Sequence, residues 1–152
     1  MTTRKMSKAD FETLANFRYQ LRRFLRFSEE VTRCSGITPL QYQLMLQIKG
    51  FPGREWATVA ELAERLQAKH HGVVALVSRC EEAGLVQRNA SRGDQRRVEV
   101  TLTTDGVKCL EHLGRLHRDE LRSVKQGFAV PGIADGAQEA SPGGQHEAEP
   151  SL

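Results

Sequence analysis

The stretch RNASRGDQRRVEVTLTTDG, residues 88–106, decides the reading of the chain. Four arginines (Arg88, Arg92, Arg96 and Arg97) crowd into ten residues around a Gly-Asp pair. Strict alternation follows, with Val98, Val100 and Leu102 on one face and Glu99 and Thr101 on the other, the period of a half-buried strand. LVQR at 85–88 supplies an answering strand, so NASRGDQ becomes a hairpin loop and the helix start comes just after it. The charge therefore sits at the tip of a β-hairpin. Taken alone, such a tip is either a solvated loop or a contact for a polyanion.

Working outward from the hairpin, the preceding segments read as short helices with explicit start and stop signals. In TPLQYQLMLQI (38–48), Thr38 suits the N-cap, Pro39 the first helical position and Gln41 the reciprocal capping-box position. TVAELAERL (58–66) repeats the pattern with Thr58 and Glu61, and turns Val59, Leu62, Ala63 and Leu66 inward. After Gln67-Ala68 comes KHHGVVALVSRCEEAG (69–84), with Val73, Leu76, Val77 and Cys80 on its apolar face and Gly84 as a left-handed stop. GFPGREWA (50–57) reads as a loop in which Trp56 is a hydrophobic anchor. A long helix is expected over residues 9–34 on the spacing of Phe11, Leu14, Phe17, Leu21, Phe24, Leu25, Ser28 and Val31. Its stripe exceeds what one small core needs, so part of it is expected against another chain. A last helix from Thr104 to Val124 offers Leu110, Leu113, Leu116, Leu121 and Val124. The fold class is mainly α with a small β-hairpin wing. It is a winged helix-turn-helix with N- and C-terminal dimerisation helices.

Composition fits this class. At 152 residues, 39% hydrophobic and 27% charged, one compact domain is expected. No apolar run nears the roughly 18–20 residues of a bilayer span, so no membrane is expected as a partner. No apolar region follows the basic MTTRKMSKAD, and a cytoplasmic location is expected. Three scattered cysteines without a Cys-x-x-Cys pair argue against a disulfide framework or a zinc site. Residues 1–125 hold all 22 basic side chains against 15 acids, a net +7 that favours a polyanionic partner. Residues 126–152 hold four acids and no Lys or Arg among Gly, Ala, Pro and Ser, a composition expected to be disordered. No Ser-His-acid, Cys-His or metal-spaced cluster and no Gly-rich phosphate loop is present, so neither an enzyme nor a cofactor is expected.

EEAGLVQR (81–88), Asp94-x-Arg96 and VTLTTDG (100–106), together with 38–48 and 58–66, give the chain a resemblance to the MarR family of bacterial transcription regulators over about residues 9–124. The resemblance implies a homodimer intertwined through helices in 9–37 and 104–125. It implies a winged helix-turn-helix DNA-binding lobe at 38–103 and a pseudo-palindromic double-stranded operator. It also implies, commonly, repression relieved by a small molecule. One departure is that Gly72, Val74 and Ala75 stand where relatives often carry Ser, Thr or Arg on the recognition helix.

In this setting Arg96 is the side chain expected in the minor groove, with Asp94 holding a nearby arginine. Arg88, Arg92 and Arg97 are phosphate contacts or solvated charges. Lys69, His70 and His71, at the start of the recognition helix, are positioned to read bases. Adjacent histidines point about 100° apart on a helix, which disfavours a shared metal ion. Arg79 reaches a phosphate or pairs with Glu82, and Thr38 joins the DNA-binding set. An effector pocket, implied by the resemblance, draws on Phe17, Arg18, Leu21, Arg22, Tyr42 and Leu46 and suits an aromatic carboxylate. Two other readings remain open. One is thiol-based redox sensing through Cys34 beside Arg33, and the other is a winged-helix protein–protein interaction module.

Overall fold

The structure, a computed structural model, describes residues 4–91, 93 and 97–123. Helix α1 covers Lys8–Cys34 and starts at a capping box, where the Ser7 N–H donates to the Asp10 carboxylate at 2.7 Å. Helix α2 (Pro39–Lys49) starts at the expected Thr38 cap, whose N–H donates to Gln41 Oε1 at 2.9 Å while the Gln41 N–H donates to Thr38 Oγ1 at 3.2 Å. Thr58 and Glu61 reproduce this arrangement at the start of α3 (Val59–Leu66). Helix α3 ends at Gln67 in the left-handed region, with φ +50°. Helix α4 (His70–Glu82) follows, then strands β2 (Val86–Ala90) and β3 (Val98–Leu102), and helix α5 (Thr104–Ser123).

The sequence reading placed a plain loop at 50–57. The structure instead forms a short strand β1, Trp56–Thr58, on the outer side of β3, so the sheet has three antiparallel strands in the order β1-β3-β2. Three residues are too few to show an alternating pattern, and the pairing of Ala57 with Val100 is long-range. With β3 central, Val100 packs fully buried under both neighbours.

The core gathers Leu44, Met45 and Ile48 of α2, Leu62 of α3, Val73 and Val77 of α4, Val86 of β2, Val100 of β3 and Leu113 of α5. Two junctions fix how α5 leaves this core. The Thr103 hydroxyl donates to the Gly84 carbonyl at 2.6 Å and accepts the Gly106 N–H at 3.0 Å, capping α5 while tying it to the turn after α4. Gly106 lies so close to the chain that a Cβ there would overlap the Leu85 carbonyl oxygen.

Further along α5, buried His117 stacks on Tyr42 with 4.3 Å between ring centroids and 9° between planes. The edges of Phe24 and Phe27 close around its ring. His117 Nδ1 donates to the Leu113 carbonyl at 2.7 Å, and Nε2 is hydrogen-bonded with the Ser28 hydroxyl at the same distance. One side chain thus joins α1, α2 and α5. On the outer surface of α1, among the described residues, Phe11, Leu14 and Leu25 are exposed, as is Leu121 on α5.

Gly106→Ala is expected to destabilise the chain by about 1–3 kcal/mol, the scale of overpacking against fixed backbone. Urea unfolding checks this, and an unchanged midpoint would contradict the close approach.

Candidate nucleic-acid interface

Helix α4 buries Val73, Leu76, Val77 and Cys80, which turns His70, His71, Val74, Ala75 and Arg79 outward. Lys69 occupies the N-cap position and makes no side-chain cap, so the first-turn N–H groups are not satisfied by a side chain from the cap. Beside α4 runs the base of the wing. Between them lies a cleft of about 520 Å³ lined by His70 and Val74 of α4, Thr58 at the start of α3, and Arg88, Arg97 and Val98 of the wing strands and their edge.

The wing base is held against α4 by Arg88. Its guanidinium donates to Ser78 Oγ at 2.9 Å, to the Val74 carbonyl at 3.2 Å and to Glu81 at 3.3 Å, while its backbone N–H donates to Glu81 at 3.0 Å. The side chain grouped by sequence with phosphate contacts or solvated charges is therefore engaged inside the lobe. Arg97 is half exposed, 4.0 Å from Glu61 and with its guanidinium 5.4 Å from the Trp56 ring centre. Arg92, Asp94 and Arg96 lie outside the described residues.

Sequence reasoning missed the support under this surface. Arg54 lies between two aromatic rings, 4.0 Å from the Phe51 centroid and 3.8 Å from that of Trp56, and pairs with Glu61. Glu61 also closes the Thr58 capping box and lies beside Arg97, so it ties the loop, α3 and the end of the wing together. Trp56 is thus a plate for arginines, and an aromatic–Arg–aromatic spacing at 51, 54 and 56 was the available signal.

The residues expected to line one effector pocket divide. Arg18, Leu21 and Arg22 lie along a groove of about 590 Å³ that is walled by α1 alone. Tyr42 is buried against His117, and Leu46 is exposed on α2. Phe17 is half-buried and lies outside that groove. Thr38 is exposed with its hydroxyl engaged as a cap. Cys34 is a free, exposed thiol on a small depression shared with Glu30, His112 and Leu116. Burial pushes the Cys80 thiol up to about 11 and raises that of Cys109 as well. Among the described residues, no helix is long and apolar enough to cross a membrane.

With Ellman's reagent at pH 8, Cys34 is expected to react rapidly in the native protein and Cys80 only on unfolding. A fast equivalent that survives Cys34→Ser would contradict this placement.

Comparison with known proteins bears on this geometry. A model of the MarR family matches residues 35–97. A putative transcriptional regulatory protein for the hcr operon of Thauera aromatica is 30% identical, over 63% of this chain and 56% of its own length. The chain thus spans about half of that relative. The Escherichia coli transcriptional regulator HosA is 33% identical, over 55% of this chain and 69% of its own length. Among solved structures, AbsC, a MarR family regulator from Streptomyces coelicolor, superposes with a TM-score of 0.70 at 18% identity, covering 88% of this chain and 90% of AbsC. A mutant of Escherichia coli MarR complexed with operator DNA gives 0.62 at 23% identity, covering 75% and 80%. With its winged helix fold and these relatives, the chain belongs to the MarR family.

Proposed function

We propose that the chain is a homodimeric regulator of transcription that binds a pseudo-palindromic double-stranded DNA site and represses until a small molecule releases it. The observation that carries this reading is the shared exposed face of α4 and the wing, where His70 and Arg97 line one cleft and Lys69, His71 and Arg79 are exposed at the start and along the length of the same helix. A related fold is known in complex with operator DNA in Escherichia coli MarR.

In this reading α4 enters the major groove, the first-turn side chains read base edges, and Arg97 and Arg79 contact phosphates. Arg96 at the tip takes the minor groove, where a narrow A/T-rich stretch attracts a guanidinium. Arg88 positions the wing and spends its donors within the protein. The exposed Phe11, Leu14, Leu25 and Leu121 supply an apolar seam for a second copy. Two recognition helices related by a twofold axis then meet half-sites about one helical turn apart.

The effector reading rests on the α1 groove. Arg18, Arg22 and Arg26 stand beside Leu21 and Leu25, a surface suited to an aromatic carboxylate. One helix makes half a pocket, so the second copy completes it. Effector binding then favours a dimer in which the half-site spacing no longer fits, through differential affinity for the two states.

Fluorescence anisotropy of the full chain on its own upstream intergenic duplex and on a scrambled duplex tests this reading. The native duplex is expected to bind about a thousandfold tighter, with a steep salt slope. Benzoate or salicylate is expected to weaken that binding, and Arg18→Ala to remove the response. Flat titrations on both duplexes at low salt would overturn the reading in favour of a protein–protein module.

A further inference from the structure

The second turn of α4 is apolar where a DNA reader would ordinarily display hydrogen-bonding groups. The four buried positions of α4 define its inner face. At about 100° per residue, the opposite face carries His71, Ala75 and Ser78, with Val74 on the side toward the wing. Ala75 is exposed, and Val74 is 39% exposed, a large apolar side chain left open on a charged surface. Ser78 offers nothing outward: its hydroxyl donates to the Val74 carbonyl at 3.1 Å and accepts from Arg88 at 2.9 Å. At Gly72, one turn earlier, a Cβ would meet nothing within 4 Å, so the fold does not require the glycine there. A glycine inside an exposed helix costs about 1 kcal/mol relative to alanine, and its absent side chain lets the helix approach a surface closely.

We propose that Val74 and Ala75 form a methyl-reading surface that recognises the C5-methyl group of a thymine on the floor of the major groove. This inference rests on the DNA-binding reading above and adds its specificity. The four bases offer the major groove donors, acceptors and one apolar group, and that group is the thymine methyl. Val74 and Ala75 have no side-chain donor or acceptor, and Ser78 has its hydroxyl occupied. The thymine methyl is therefore the feature this turn can distinguish. Arg97, across the cleft from Val74, supplies the positive charge that brings a phosphodiester strand against the apolar spot. Hydrogen-bonded reading is then confined to Lys69, His70 and His71 in the first turn. Each half-site carries at least one obligatory A·T pair adjoining the positions those residues read.

The test uses the duplex that the full-length protein selects from a randomised pool, resynthesised with deoxyuridine at each thymine in turn, which removes the methyl alone. At one position per half-site the wild-type protein is expected to lose about threefold to fivefold in affinity, the worth of one buried methyl. Val74→Ser, at an exposed site, is expected to keep its melting temperature, bind the thymine duplex more weakly and show no further loss on deoxyuridine. Unchanged wild-type affinity when every thymine is replaced would overturn the inference and leave the DNA-binding reading standing. So would an equal deoxyuridine penalty in Val74→Ser. Failure to select or bind any duplex would overturn both.

Discussion

The proposed DNA-binding surface depends on one guanidinium. Arg88 leaves β2 and reaches α4, where Ser78, the Val74 carbonyl and Glu81 receive it together. A two-stranded extension is marginal by itself, and a recognition helix set at a variable angle to its wing cannot hold a fixed register on a duplex. Arg88 removes that freedom at the end of the wing nearest the core. Arg88 is 29% exposed and Glu81 43%, so solvent screens the pair and its net value is at most about 1 kcal/mol. Arg54, set between Phe51 and Trp56 and paired with Glu61, braces the neighbouring edge of the sheet. Together the two arginines make α3, α4 and the wing one body.

The other end of the molecule is organised around a buried polar side chain. His117 satisfies both ring nitrogens within the protein and stacks on Tyr42, so α1, α2 and α5 meet at a point with defined geometry. A fully satisfied polar contact of this kind specifies an arrangement more sharply than interchangeable apolar packing does. Helix α2 is the next layer inward, with Leu44, Met45 and Ile48 buried under α3, α4 and the sheet. A shift of α1 against α5 therefore bears on α2 first and on the wing lobe through it. The apolar outer face of α1 and the polar junction on its inner face are two distinct surfaces of one helix.

Much of this was legible in the sequence because its causes are local. Thr38 with Gln41 and Thr58 with Glu61 name their helix starts within four residues, and Gly84, at φ +73°, names a stop. The alternation at 98–102 named the central strand. What escaped has long-range causes. Strand β1 exists because Ala57 meets Val100, some forty residues away in the chain. His117 reads as one more polar residue on an amphipathic helix until Ser28 and Tyr42 are brought to it by the fold. Arg88 was grouped with its neighbours as a surface charge because composition counts arginines without recording which of them fold back. The expected effector set failed to converge for a related reason: helical spacing gathers Arg18, Leu21 and Arg22, but nothing in it predicts that Tyr42 turns into the core.

The claim that α4 and the wing act as one body through Arg88 is tested most directly at its acidic partner. Replacing Glu81 with Gln removes a negative charge beside a proposed DNA-binding face, so simple electrostatics predicts tighter binding to a polyanion. If Glu81 serves by holding Arg88, the substitution weakens specific binding instead, by roughly fivefold for about 1 kcal/mol of lost positioning. Affinity of Glu81→Gln for the native duplex, measured by anisotropy at fixed salt beside Arg88→Gln and the double variant, decides between them. The account predicts a loss in each single variant and little further loss in the double. Tighter binding by Glu81→Gln would contradict it.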